Sequence, residues 1–302
     1  MTWTATGNSP AIASQNTTLA PLPNPGPNAC PTSSCVGTLG TSNATVGPFT
    51  QTGTYTLTGS TGTFRGIVFN GITAGTVSNI NNNTVAAVSV TGVTSSGQSS
   101  NAPFMAIYIN NGVAISNSNT IGSQSATGSL VYATTFASAA DMIGIFNFSS
   151  DNWTANNNLI GGMTASNAGT GAANAYGMRV NTPSTVTTTL NGNTIGGTVA
   201  NSIQSTSTAA GAQVAGIFIS QSIATASNNT VRNLTNAGGT GTTTGASVVG
   251  IDFFSATPVN TASQNTIFNL TNTNASAATV VTGIQFTGAA TSVVERNFIY
   301  GL

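Results

Sequence analysis

Lysine and histidine are absent from this 302-residue sequence, and only eight side chains carry charge: Arg65, Arg179, Arg232 and Arg296 against Asp141, Asp151, Asp252 and Glu295. Soluble domains carry about 25% charged residues, and this chain carries 3%. Without imidazole or ammonium groups, general acid-base catalysis, Schiff-base chemistry, imidazole metal ligation and phosphate-directed binding lose their usual residues. A zero net charge gives no steering toward nucleic acid or anionic lipid. Long apolar runs are missing too, and none reaches the roughly 18 residues of a membrane helix. The expectation is a non-enzymatic protein with no cofactor, no nucleic-acid partner and no membrane insertion. Met1 to Asn8 lacks the basic and apolar regions of a signal peptide, so secretion to the cell surface or beyond requires a leader already removed or another export route.

What is present favours strands. Thr and Val are common, helix-forming Glu, Lys, Arg and Gln are scarce, and Ile, Val, Leu and Phe recur in short ordered runs. A first motif appears seven times: Gly66-Ile67-Val68-Phe69, Ala106-Ile107-Tyr108-Ile109, Gly144-Ile145-Phe146-Asn147, Gly177-Met178-Arg179-Val180, Gly216-Ile217-Phe218-Ile219, Gly250-Ile251-Asp252-Phe253 and Gly283-Ile284-Gln285-Phe286. The intervals are 40, 38, 33, 39, 34 and 33 residues. A second motif follows each one by 13 to 17 residues, of which Asn193-Thr194-Ile195 is typical. A period of this length built from short strands and turn formers predicts a β-solenoid, one repeat per coil. About seven coils at roughly 4.8 Å make a rod on the order of 34 Å long.

Alternation places the second and fourth residues of the first motif inside, with Asn147 as the departure. In the second motif it places Asn83, Asn119, Asn158, Asn193, Asn229, Asn265 and Asn297 inside. These seven are expected to stack as a self-satisfying amide ladder, a packing device. The leading glycine is read as a tight corner where a side chain would clash.

The two motifs resemble the parallel β-helix repeat of pectate-lyase-like proteins. Phrases such as Asn265-Thr266-Ile267-Phe268-Asn269-Leu270 and Arg296-Asn297-Phe298-Ile299-Tyr300-Gly301-Leu302 resemble repetitive secreted surface proteins of Gram-negative bacteria. The likeness covers about residues 62 to 302 and implies a right-handed parallel β-helix. It implies little about function, because such scaffolds host lyases, hydrolases, adhesins and structural proteins.

The chain divides near residue 48, with an irregular arm over 1–48 and the β-helix over 49–302. The arm holds Asn24-Pro25-Gly26-Pro27 within a proline-rich run, an extended connector. Cys30 and Cys35 are read as a short structural disulfide, which points to an oxidising compartment, or else as two free thiols. Sequons at Asn16, Asn43, Asn147, Asn152, Asn233, Asn269 and Asn274 are candidate glycosylation sites. In a chain so rich in Asn, Ser and Thr they also arise by composition alone.

The outward third position of the first motif forms the column Val68, Tyr108, Phe146, Arg179, Phe218, Asp252, Gln285. Its aromatics Tyr108, Phe146 and Phe218 are a candidate interaction flank for glycans or protein, against an ordinary partly covered face. Arg179 and Asp252 lie two coils apart, so no ion pair is expected between them. Asp141 and Asp151 flank one coil with no basic residue close in sequence. Leu302 falls inside a repeat with no polar cap after it, so the last coil is expected to present pairing edges to another chain. The reading favoured is a filament or surface-appendage subunit polymerising head-to-tail with copies of itself through its ends and arm. A non-polymerising adhesin or carbohydrate-binding β-helix is the alternative.

Overall fold

The computed structural model describes residues 2–5, 12–13, 45–46, 50–57, 62–70, 77–92, 96–239, 247–254, 259–275, 278–287 and 292–302. They form a right-handed parallel β-solenoid of about seven coils. Among the described residues no helix is long and apolar enough to cross a membrane.

Each coil visits three parallel sheets. The first sheet carries the Gly-Ile-x-Phe strands in chain order: Ile12–Ala13, Phe64–Asn70, Phe104–Asn111, Ala140–Asn147, Ala173–Asn181, Val214–Gln221, Val248–Phe253 and Val281–Phe286. The second runs from Thr45–Val46 to Val293–Glu295 and the third from Thr2–Ala5 to Phe298–Tyr300. The third sheet opens in its middle. Thr84–Gly92 pairs with both Thr120–Gly122 and Leu130–Thr134, and the two branches rejoin on Thr230–Asn236. Three short strands of the N-terminal arm continue the sheets: Thr2–Ala5 lies beside Thr54–Leu57, Ile12–Ala13 beside Ile67–Val68, and Thr45–Val46 beside Asn79–Ile80. The proline-rich run and both cysteines lie outside the described residues.

One continuous core fills the tube, from Phe64, Ile67 and Phe69 through Ile217 and Ile219 to Ile251 and Phe253, with Ile284 and Phe286 packed against it. Each such aliphatic or aromatic side chain contributes roughly 1.5–3 kcal/mol when fully buried. The motif glycine serves this core by yielding space to the second motif of its own coil. A Cβ on Gly250 would lie 2.6 Å from Ile267 Cγ2 and 2.5 Å from the carbonyl oxygen of Gly283.

The corner between the second and third sheets has constant length. Its residues Asn82, Ser118, Asn157, Asn228, Gln264 and Arg296 all have φ between 53° and 59°, and Gly192 has φ 67°. This left-handed turn is one that Asn adopts readily, and it drives the next residue inward, which is each time an asparagine. From Asn83 to Asn265, the backbone N–H and side-chain amide of each asparagine donate to Oδ1 of the asparagine one coil on, at 2.9–3.0 Å. The second amide hydrogen donates backward to a main-chain carbonyl, as from Asn229 to Leu190 at 3.0 Å. Six of the seven are buried and Asn297, on the last coil, is partly exposed. Asn147 is also buried and accepts from the Ser149 N–H at 3.1 Å, but its Nδ2 has no partner.

Candidate functional site

The chemistry-bearing side chains gather on the outer face of the first sheet. Two outward columns share this face, Arg65, Met105, Ile143, Tyr176, Ala215 and Val249 in one and Val68, Tyr108, Phe146, Arg179, Phe218, Asp252 and Gln285 three residues on, because the alternation is interrupted at the motif glycine between them. Most of this face is covered, so Phe146 and Phe218 do not form an exposed aromatic flank and the partly covered face is the reading that fits. Phe146 and Phe218 are buried in a second apolar cluster with Met105, Ile143, Tyr176 and Val249, and Tyr108 packs against it. Tyr108 stacks on Phe146 at 5.6 Å and its hydroxyl donates to Asn110. The physical reason is that large outward side chains on successive coils shield one another, and the segment Gln98–Ala102 is clamped beside them.

Two arginines and an aspartate hold that clamp. Arg65 donates to the carbonyls of Ala102 at 2.7 Å and Ser100 at 2.9 Å, and its guanidinium lies 5.2 Å from the Tyr108 ring centre. Burial lowers the Arg65 pKa to about 10 and raises that of Tyr108. Asp141, fully buried, accepts from the Ser99 N–H at 2.8 Å and Asn174 Nδ2 at 2.8 Å and pairs with Arg179. Burial pushes the Asp141 carboxyl above its ordinary range, opposed by Arg179, Asn174 and the Ser99 amide. The Arg179 pair was not legible in the chain, because Asp141 sits on the preceding coil and five residues earlier in its strand than Phe146, the register partner of Arg179. Arg179 lies over two rings, 4.8 Å from Tyr176 and 5.1 Å from Phe218. Tyr176 donates to Gln213 Oε1 at 3.0 Å, and burial raises its phenol well above the usual range.

Asp252 differs from Asp141. It is fully buried, yet neither carboxylate oxygen has a hydrogen-bond partner, and burial raises its pKa to about 7. Its register neighbours are Phe218 and Gln285.

The glycosylation candidates scatter. Asn152 and Asn269 are exposed and Asn274 is half-buried. Asn147 and Asn233 are buried, which corrects their place among the candidate acceptors: the Asn147 amide is enclosed, and Asn233 Nδ2 is engaged to the Gly197 carbonyl at 2.8 Å. Asn16, Asn43, Cys30 and Cys35 lie outside the described residues. Among the described residues, the most exposed aromatics on this face are Phe148, 38% exposed, and Phe254, 48% exposed, with Tyr108 partly buried. Phe148 and Phe254 each stand two residues beyond the outward motif position and rest on a buried ring, Phe146 or Phe218. Their signal in the sequence was only that outward positions continue past the four-residue motif. Among the described residues, no three His, Cys, Asp or Glu side chains come together to hold a metal ion.

Comparison with protein-family models, curated proteins and solved structures finds no match to this chain.

Proposed function

We propose that the chain is a non-enzymatic structural subunit of an extracellular filament or surface appendage, extended by stacking one solenoid head-to-tail on the next. The observation that carries this reading is the polarity of the asparagine file. Each main-chain N–H and one amide hydrogen of the file donate to the next Oδ1 along the axis while the other amide hydrogen donates back to a carbonyl, and Asn297 accepts from Asn265 and donates back to Ala262. A further coil that offers a side-chain oxygen at this position continues the file. The strands Val293–Glu295 and Phe298–Tyr300 also carry exposed apolar groups, led by Phe298 at 64% exposure with Val294 and Tyr300. Such edges template pairing with another β-structure.

Electron microscopy of the full chain over a range of concentrations tests the proposal. The expected outcome is fibres that lengthen with concentration and disappear when Val294→Lys and Phe298→Glu place charge on the edge. Isolated short rods at every concentration refute it and favour the surface-adhesin reading, for which the exposed rings of Phe148 and Phe254 are the relevant surface.

A further inference from the structure

The outer face of the first sheet contains two buried aspartates in contrasting states. Asp141 is neutralised by Arg179, whose guanidinium is held against the rings of Tyr176 and Phe218. Asp252, two coils beyond Arg179 in the same outward column, has no such partner. Its surroundings repeat the aromatic part of the arrangement. The Phe218 ring that carries Arg179 also stacks with the Phe254 ring, with centroids 5.8 Å apart and planes 25° from parallel. Phe254 is two residues from Asp252 on the same strand face and is half-exposed. The charged and titratable groups placed around this position are Tyr176, whose phenol feels the Asp252 charge, and Arg179, which is engaged with Asp141. The neighbouring strands contribute the uncharged Phe218 and Gln285.

We propose that Asp252, with the rings of Phe218 and Phe254, is a receptor for an external guanidinium group, taking on this coil the part that Arg179 takes for Asp141. A guanidinium answers both features at once: its N–H groups satisfy two unpartnered carboxylate oxygens in a bidentate fork, and its flat face stacks on an aromatic ring. Entry requires the exposed Phe254 ring to turn aside from the carboxylate. In the unliganded protein the acid is neutral below about pH 7, so the site exchanges a proton for the cation, and binding is stronger on the alkaline side.

The test uses the full chain and two probes, agmatine as a small cation and the peptide amide Gly-Arg-Gly as a protein-like source, with sodium chloride at matched ionic strength as control. The expected result is a saturable rise in the unfolding midpoint above pH 7 that fades below it and vanishes in Asp252→Asn. Phe254→Ala should weaken binding roughly three- to tenfold. Carbon-13 NMR of the aspartate carboxyls gives a second readout that does not depend on any variant folding: the midpoint of the perturbed carboxyl should fall when the probe is present. Binding of agmatine or of the peptide alone assigns the source and supports the site. Absence of saturable binding by both probes, or binding unchanged in Asp252→Asn with an unmoved carboxyl midpoint, overturns it.

Discussion

Replacing Asn229 by leucine tests the asparagine file directly, because leucine keeps the branched shape and puts two somewhat larger methyl groups in place of the amide oxygen and nitrogen. The Asn229 side chain bonds four buried groups, of which Asn265 Oδ1 receives its amide at 3.0 Å. Its oxygen accepts from the Asn193 backbone N–H and from Asn193 Nδ2, both at 3.0 Å, and its Nδ2 donates to the Leu190 carbonyl at 3.0 Å. Asn265 Oδ1 keeps one donor, the main-chain N–H of residue 229. Each orphaned buried group costs about 1–3 kcal/mol. Neighbouring groups relax together, so the expected loss is about 4 kcal/mol rather than the full sum. Asn297→Leu is the internal control: it removes the equivalent bonds from the last coil, where water replaces them, and should cost about 1 kcal/mol. Urea unfolding followed by far-ultraviolet circular dichroism gives both values, compared at unchanged m. A change below about 0.5 kcal/mol for Asn229→Leu, or equal losses for the two variants, would refute the claim that the file stabilises the coils through satisfied buried amides.

Two further outcomes follow from the geometry. The Asp252 carboxyl titrates near 7 in the folded chain and near 3.9 when unfolded, so the folded state holds the proton more tightly. Stability should be greatest below about pH 4 and decline up to about pH 7, by about 4 kcal/mol in all. Urea titrations at several pH values should show that slope become shallower in Asp252→Asn, the remainder belonging to Asp141, whose carboxyl burial also raises, and an unchanged slope assigns the whole of it to another group. Gly250→Ala forces a methyl against Ile267 and the Gly283 carbonyl, an overpacking expected to cost about 1–3 kcal/mol. The double variant with Ile267→Val should recover little of it, since valine keeps the Cγ2 that lies 2.6 Å away and the carbonyl contact remains. Thermal melts of the two variants decide.

The coil architecture was legible because it is written seven times. A glycine followed by two inward apolar positions, and an asparagine a fixed corner later, can each be checked against six other copies. The glycine's role was only half visible: its need for space was clear, whereas the β-branched residue that takes that space lies across the tube on another sheet. The outer face was read less well. Periodicity distinguishes inward from outward, but outward is not the same as exposed, and Tyr108, Phe146 and Phe218 are sheltered by a clamp whose bonds join residues 35 and 37 positions apart, as from Arg65 to Ser100 and Ala102. The Arg179–Asp141 pair escaped a column-by-column reading because it runs diagonally between coils. Asp252 was placed correctly in its column, yet nothing in a sequence reveals that a carboxylate is buried without a donor.

Because every strand pairs in parallel with its counterpart one coil away, all bonds between coils lie along the axis while the chain itself runs across it. A tensile load applied to the two ends therefore acts on one layer at a time. Each layer that gives way frees a coil of 33 to 40 residues, about 110–140 Å of extended chain, in exchange for a rise of roughly 4.8 Å. The layers share nearly the same asparagine bonds, so they should yield at similar force and in similar increments. Under tension the chain should therefore lengthen stepwise, absorbing work at each layer.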